Sequence, residues 1–105
     1  MGTKYYLCMR VIAKKILREF WMIHPDEEQS LKSWYREADM AKWASPHDIK
    51  KAFPSASIIN DEIVVFNIKG NRFRLIVKIN YSFSIIWIRF IGTHSEYDKL
   101  NIKNW

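Results

Sequence analysis

The sequence predicts an α+β fold, an antiparallel sheet meander with N-terminal helices packed on one face. Three observations predict it. Apolar residues recur every three or four positions between Ala13 and Phe53. Beyond Pro54 they alternate with polar ones. Gly70-Asn71 and Ser82-Phe83 then cut the alternating half into hairpin-sized pieces.

The first residues, MGTKYYLC (1–8), read as an N-terminal extension, either an upstream start or an added remnant. Met9 reads as a second start, because MRVIAK opens a short strand. One domain is therefore expected over 9–105. From Ala13 the spacing turns helical, with Ile16, Phe20 and Ile23 on one stripe and Leu17 and Trp21 beside it. His24-Pro25 stops that helix, and Pro25-Asp26-Glu27-Glu28 starts the next, since proline and acidic residues suit a first turn. Leu31, Trp34, Tyr35, Ala38 and Ala41 mark its buried stripe. Ser45-Pro46-His47-Asp48 carries a cap, a proline and an acid for a third helix ending near Phe53.

Four strands are expected after Pro54: a short one at Ile58-Ile59, then Ile63–Lys69, Arg72–Tyr81 and Ile85–Ile91. A two-residue loop at Gly70-Asn71 pairs Asn67 with Arg74 and Val65 with Ile76. The opposite side then holds Val64, Phe66, Ile68, Phe73, Leu75, Val77 and Ile79, all apolar. A turn centred on Ser82-Phe83 pairs Lys78 with Trp87, Ile76 with Arg89 and Arg74 with Ile91. That register sends Ile86, Ile88 and Phe90 to the core. It leaves Asn67, Lys69, Arg72, Arg74, Lys78, Trp87 and Arg89 on the other face.

Composition narrows the function. Half the chain is apolar, at 49%, and 15% is aromatic, which excludes a disordered segment. Cys8 is the single cysteine, so an internal disulfide and a cysteine-built zinc site are excluded. No run approaches the roughly 18 apolar residues of a membrane span, nor the apolar core of a signal peptide, so a cytoplasmic protein is expected. The net charge of +6 is uneven: residues 1–66 hold ten Lys or Arg against nine Asp or Glu, and residues 67–105 hold seven against two. Five of those cations fall on the outer sheet face. Two readings stand for it: a solvated surface, and a surface for single-stranded RNA, with phosphates on Lys and Arg and bases on rings.

The strand end IRF (Ile88–Phe90) leads into THSEYD (Thr93–Asp98). Thr93 and Glu96 have capping-box spacing. Histidine is the side chain suited to proton transfer near neutral pH, so His94 is a proton-transfer candidate, with Tyr97 second. Glu96 and Asp98 are available to orient His94 or Arg74. His24 and His47, at helix boundaries, read as structural.

These runs resemble the HigB-type toxins of bacterial toxin–antitoxin systems, within the RelE-like group. The resemblance rests on MRVIAKKILREFW (Met9–Trp21), on His24-Pro25-Asp26 with Trp34 and Glu37, and on SPHDIKKAFPSASI (Ser45–Ile58). It rests most on VVFNIKGNRFRLIVKINY (Val64–Tyr81) and IRFIGTHSEYDK (Ile88–Lys99). It implies a small RelE-like ribonuclease fold and a ribosome-dependent enzyme that cuts mRNA during translation. It also implies a helix-turn-helix, HigA-like antitoxin joined to the toxin in a hetero-oligomer. The expected chemistry is metal-independent and cofactor-free, through the RNA 2′-hydroxyl. Arg74 and Arg89 would stabilise the phosphate, with His94 and Tyr97 handling protons. Lys14, Lys69, Asn71, Arg72, Lys78 and Trp87 would bind RNA. The competing reading is a binding module that uses the same basic face for RNA or a partner protein, without chemistry.

Overall fold

The structure, a computed structural model, describes residues 8–69 and 72–105, apart from the Asn104 side chain. The extension at residues 1–7 and the expected Gly70-Asn71 turn lie outside the described residues. Strand β1 (Arg10–Ile12) leads to α1 (Lys14–Ile23), a 3-10 turn (Pro25–Glu27), α2 (Glu28–Met40) and α3 (Pro46–Ala52). Then come β2 (Ser57–Ile58), β3 (Ile63–Ile68), β4 (Phe73–Asn80), β5 (Ile85–Thr93), α4 (His94–Asp98) and a final 3-10 turn (Ile102–Asn104). The sheet order is β1-β5-β4-β3-β2. β2 to β5 form the expected antiparallel meander, and β1 adds to its edge parallel to β5.

Each helix starts for a local reason. Ala13 takes a left-handed backbone, φ 71°, to turn the chain from β1 into α1. Proline occupies the first turn of the segment at Pro25 and of α3 at Pro46. Ser45 holds the cap position of α3, but its side chain makes no cap bond. The acid behind it works instead: Asp48 Oδ2 accepts the Ala44 N–H at 2.9 Å. No described helix is long and apolar enough to cross a membrane.

The period-two reading of the core face holds. Val64, Phe66, Ile68, Phe73, Leu75, Val77, Ile79, Ile86 and Ile88 are buried with Leu17, Leu31, Trp34, Ala38 and Ile49 of the helices. Phe66 is at its centre, edge-on to Trp34 at 5.3 Å and to Phe53 at 5.0 Å, and stacked on Trp43 at 6.0 Å. Tyr35 and Ala41 of the expected stripe are only partly buried.

The register of the last strand differs from the expected one. Lys78 pairs with Trp87 as expected, but a bulge between Ile76 and Val77 on the ladder skips Arg89. Ile76 therefore faces Phe90, and Arg74 faces Gly92, not Ile91. One extra residue reverses every side beyond it. Phe90 leaves the core face, while Ile91 packs towards the helices. The physical reason lies in the chain after α4. Leu100, Ile102 and Trp105 fold back over the outer face and need an apolar floor. Phe90, Ile63, Val65 and Ile76 supply it. The outer face is thus not an open basic surface. A second apolar cluster divides it.

Candidate active site

The site begins where β5 ends. Gly92 sits opposite Arg74, and a side chain there has no room: a Cβ would lie 2.5 Å from the Phe90 ring and 2.8 Å from Glu96 Oε1. The missing Cβ lets the next residues close a full capping box. Thr93 Oγ1 accepts the Glu96 N–H at 3.2 Å, and Glu96 Oε1 accepts the Thr93 N–H at 2.8 Å. The hydrogen bonds from Thr93 hold the Glu96 carboxyl below its ordinary value, with His24 and Lys99 adding to the effect. Glu96 is thus engaged in the capping box, and Asp98 is the carboxylate that meets His94.

The cap fixes a five-residue helix, and two candidate residues project from it. His94 Nδ1 lies 3.0 Å from Asp98 Oδ2, one turn apart, and both side chains are about half exposed. A carboxylate on Nδ1 holds that nitrogen as the donor and leaves Nε2 to accept a proton. Tyr97 points the other way, into the second apolar cluster, where the Arg74 guanidinium carbon stands 5.8 Å from its ring centre. The short helix thus carries two separate pairs, His94 with Asp98 and Tyr97 with Arg74.

The other expected residues divide into groups. Arg72 and Lys69 flank the β3–β4 hairpin. Arg72 lies over the Phe73 ring at 5.5 Å, and Lys69, at φ 54°, reaches the Asp26 carbonyl at 3.5 Å. Asn71 lies outside the described residues. Lys78, Trp87 and Arg89 lie beyond the apolar divide. Lys78 Nζ donates to the Trp105 main-chain oxygen at 3.2 Å and pairs with Glu62 at 3.9 Å. Arg89 is held over the Trp105 ring at 5.5 Å. The cleft there, about 690 Å³, also holds Asp61 and Glu62, so its charge is mixed. Arg74 and Arg89 are thus farther apart along the ladder than the unbulged register implies. Lys14 is elsewhere, on the helical layer over Tyr35.

Two relevant residues escaped the sequence reading. Trp105 touches both Lys78 and Arg89. His24 stacks on Phe20 at 4.4 Å and sits 5.6 Å from Phe73, whose partner across the ladder is Thr93. It therefore stands beside the start of α4 and not away from the site. Both contacts join residues far apart in the chain, and no local spacing signals them. Among the described residues no three His, Cys, Asp or Glu side chains gather as a metal site would need.

Comparison with known proteins bears on this arrangement. The profile of the HigB_toxin family, described as the RelE-like toxic component of a toxin–antitoxin system, matches residues 27–100. The chain is 29% identical over 94 residues to an mRNA interferase HigB of Escherichia coli O6:H1, covering 88% of this chain and 91% of that protein. It is 27% identical over 92 residues to the mRNA interferase toxin HigB of Escherichia coli K12, covering 86% and 88%. The mRNA interferase HigB of Shigella flexneri matches to the same extent, 27% over 92 residues.

Proposed function

The chain belongs to the HigB toxin family, the RelE-like toxic components of toxin–antitoxin systems, and from that premise we propose that it is a cytoplasmic, ribosome-dependent mRNA endoribonuclease. Its domain is residues 9–105. Its partners are the ribosome, mRNA and a HigA-like helix-turn-helix antitoxin, with which it forms a hetero-oligomer. The observation that supports the reading is the capped turn at Thr93, from which His94 pairs with Asp98 and Tyr97 meets Arg74.

The reaction is transfer of a phosphoryl group within the RNA. His94 Nε2 accepts the 2′-hydroxyl proton while Asp98 steadies Nδ1. The 2′-oxygen bonds to the adjacent phosphorus, and the bond from phosphorus to the 5′-oxygen breaks. The leaving 5′-oxygen takes a proton from the Tyr97 hydroxyl. A 2′,3′-cyclic phosphate and a 5′-hydroxyl result. Arg74 forks onto the reacting phosphate, because arginine stays charged and matches its oxygens in pairs. Arg89, held over the Trp105 ring, takes a neighbouring phosphate. Lys69, Asn71 and Arg72 bind the RNA at one end of the face, and Lys78 and Trp87 bind it beyond the apolar divide.

The experiment is expression of the chain without its antitoxin. Growth arrest with mRNA cut inside codons is expected. A binding module would retard RNA and leave it whole.

A further inference from the structure

The helical layer carries a feature that the nuclease reading does not use. Between α1 and α2 runs a groove of about 470 Å³, lined by Lys14, Arg18, Trp21, Lys32, Tyr35 and Arg36. Its two walls are built alike. Lys14, Arg18 and Met22 follow one another at four-residue steps on α1, and Lys32, Arg36 and Met40 do the same on α2. Such steps make a ridge along a helix. Each wall is thus two cations followed by a methionine, and Met22 and Met40 are 72% and 55% exposed.

The helices run antiparallel, so the lysines cross over. Lys14 of α1 covers the Tyr35 ring of α2 at 4.3 Å, and Lys32 of α2 covers the Trp21 ring of α1 at 5.4 Å. Glu28 pairs with Lys32, and burial raises the Tyr35 pKa with the Asp39 carboxylate adding to it. Four cations against two carboxylates leave the groove positive, with Arg18 and Arg36 exposed at its rim.

We propose that this groove docks an acidic, amphipathic segment of the antitoxin. The charge of the groove calls for an anionic occupant. Two observations favour protein over RNA. The ring faces are covered by ammonium groups, so no open platform is left for a base to stack on. Each cationic ridge also runs into an exposed methionine, an adaptable apolar contact that suits a protein side chain and offers nothing to a phosphate. The occupant therefore carries carboxylates at its middle and apolar residues towards its ends. The proposal rests on membership of the toxin–antitoxin family and is independent of the nuclease reading. It leaves the candidate active site uncovered, because α1 and α2 pack on the face of the sheet opposite Tyr97.

The test measures binding of the antitoxin, purified from its pair, to the full chain by calorimetry at two salt concentrations. R18E/R36E is expected to weaken binding by about tenfold or more and to flatten its salt dependence. Its thermal midpoint and translation-coupled mRNA cleavage should stay at wild type. M22K/M40K adds cations and removes the apolar ends, so it should also weaken the antitoxin, while a poly(U) oligonucleotide binds no worse. Unchanged antitoxin affinity in both variants overturns the proposal. So does tighter antitoxin or ribosome binding by M22K/M40K, because that is what an RNA or purely electrostatic site would give. If the wild type cleaves no mRNA but R18E/R36E still loses the antitoxin, the groove stands and the nuclease reading falls.

Discussion

Arg74 faces Gly92 across the β4–β5 ladder, and its guanidinium carbon stands 5.8 Å from the centre of the Tyr97 ring. The two facts are linked. The bulge at Arg89 brings Gly92 to this position, and the missing Cβ at Gly92 lets the Glu96 cap of α4 close against it. Arg74→Ala should reduce translation-coupled cleavage on the order of a hundredfold or more. Arg74→Lys should recover only part of it, since an ammonium cannot fork onto two oxygens. Single-turnover cleavage of a translated mRNA is the check.

Gly92→Ala should destabilise the fold by about 1–3 kcal/mol, because a methyl group has to push aside either the Phe90 ring or the Glu96 cap. Urea unfolding measures this. A variant as stable as wild type would show that α4 can move away freely.

Asp98→Asn should lower the cleavage rate with little effect on RNA affinity, and His94→Gln should lower it further. In the proposed mechanism Asp98 orients His94, which it meets at 3.0 Å, and His94 carries the proton. Equal losses in both variants, with weakened RNA binding, would assign the pair to binding.

Glu96 makes stability depend on pH in a defined direction. Its folded-state pKa lies below the ordinary 4.5, so folding favours the ionised form. The contribution is complete above 4.5 and is lost as the pH falls through the lower, folded-state value. Glu96→Gln should therefore melt below wild type at neutral pH, and the gap should close in acid. A gap that stays constant with pH would contradict the capping role.

The final segment also has a measurable role. Ile102 is 7% exposed over Ile63, Val65 and Ile76, so Ile102→Ala should cost about 2 kcal/mol or more. Trp105→Ala should instead raise the RNA concentration needed for half-maximal cleavage, by removing the ring that braces Arg89.

Much of this was legible in the residues. The alternation from Val64 to Ile79 identifies the core face, because apolar side chains on a half-buried sheet must share one side. Thr93 and Glu96 announce their cap by spacing alone. The pairing Asn67–Arg74 follows from a two-residue loop. The bulge was not legible. WIRFIG alternates equally well without it, and the residues that favour it, Leu100, Ile102 and Trp105, lie beyond the strand. The same holds for His24, which reaches Phe73 across 49 positions of chain. The parallel edge strand β1 could be placed as a strand, but its partner depends on how α1 and α2 return the chain.

Translation-coupled cleavage of one mRNA by Arg74→Ala, Arg89→Ala and His94→Ala, assayed side by side with wild type, tests the central claim most directly. Arg74→Ala and His94→Ala should each lose on the order of a hundredfold or more, with a smaller loss for Arg89→Ala, which sits in the bulge. Wild-type cleavage by all three would contradict an active site at the capped end of β5.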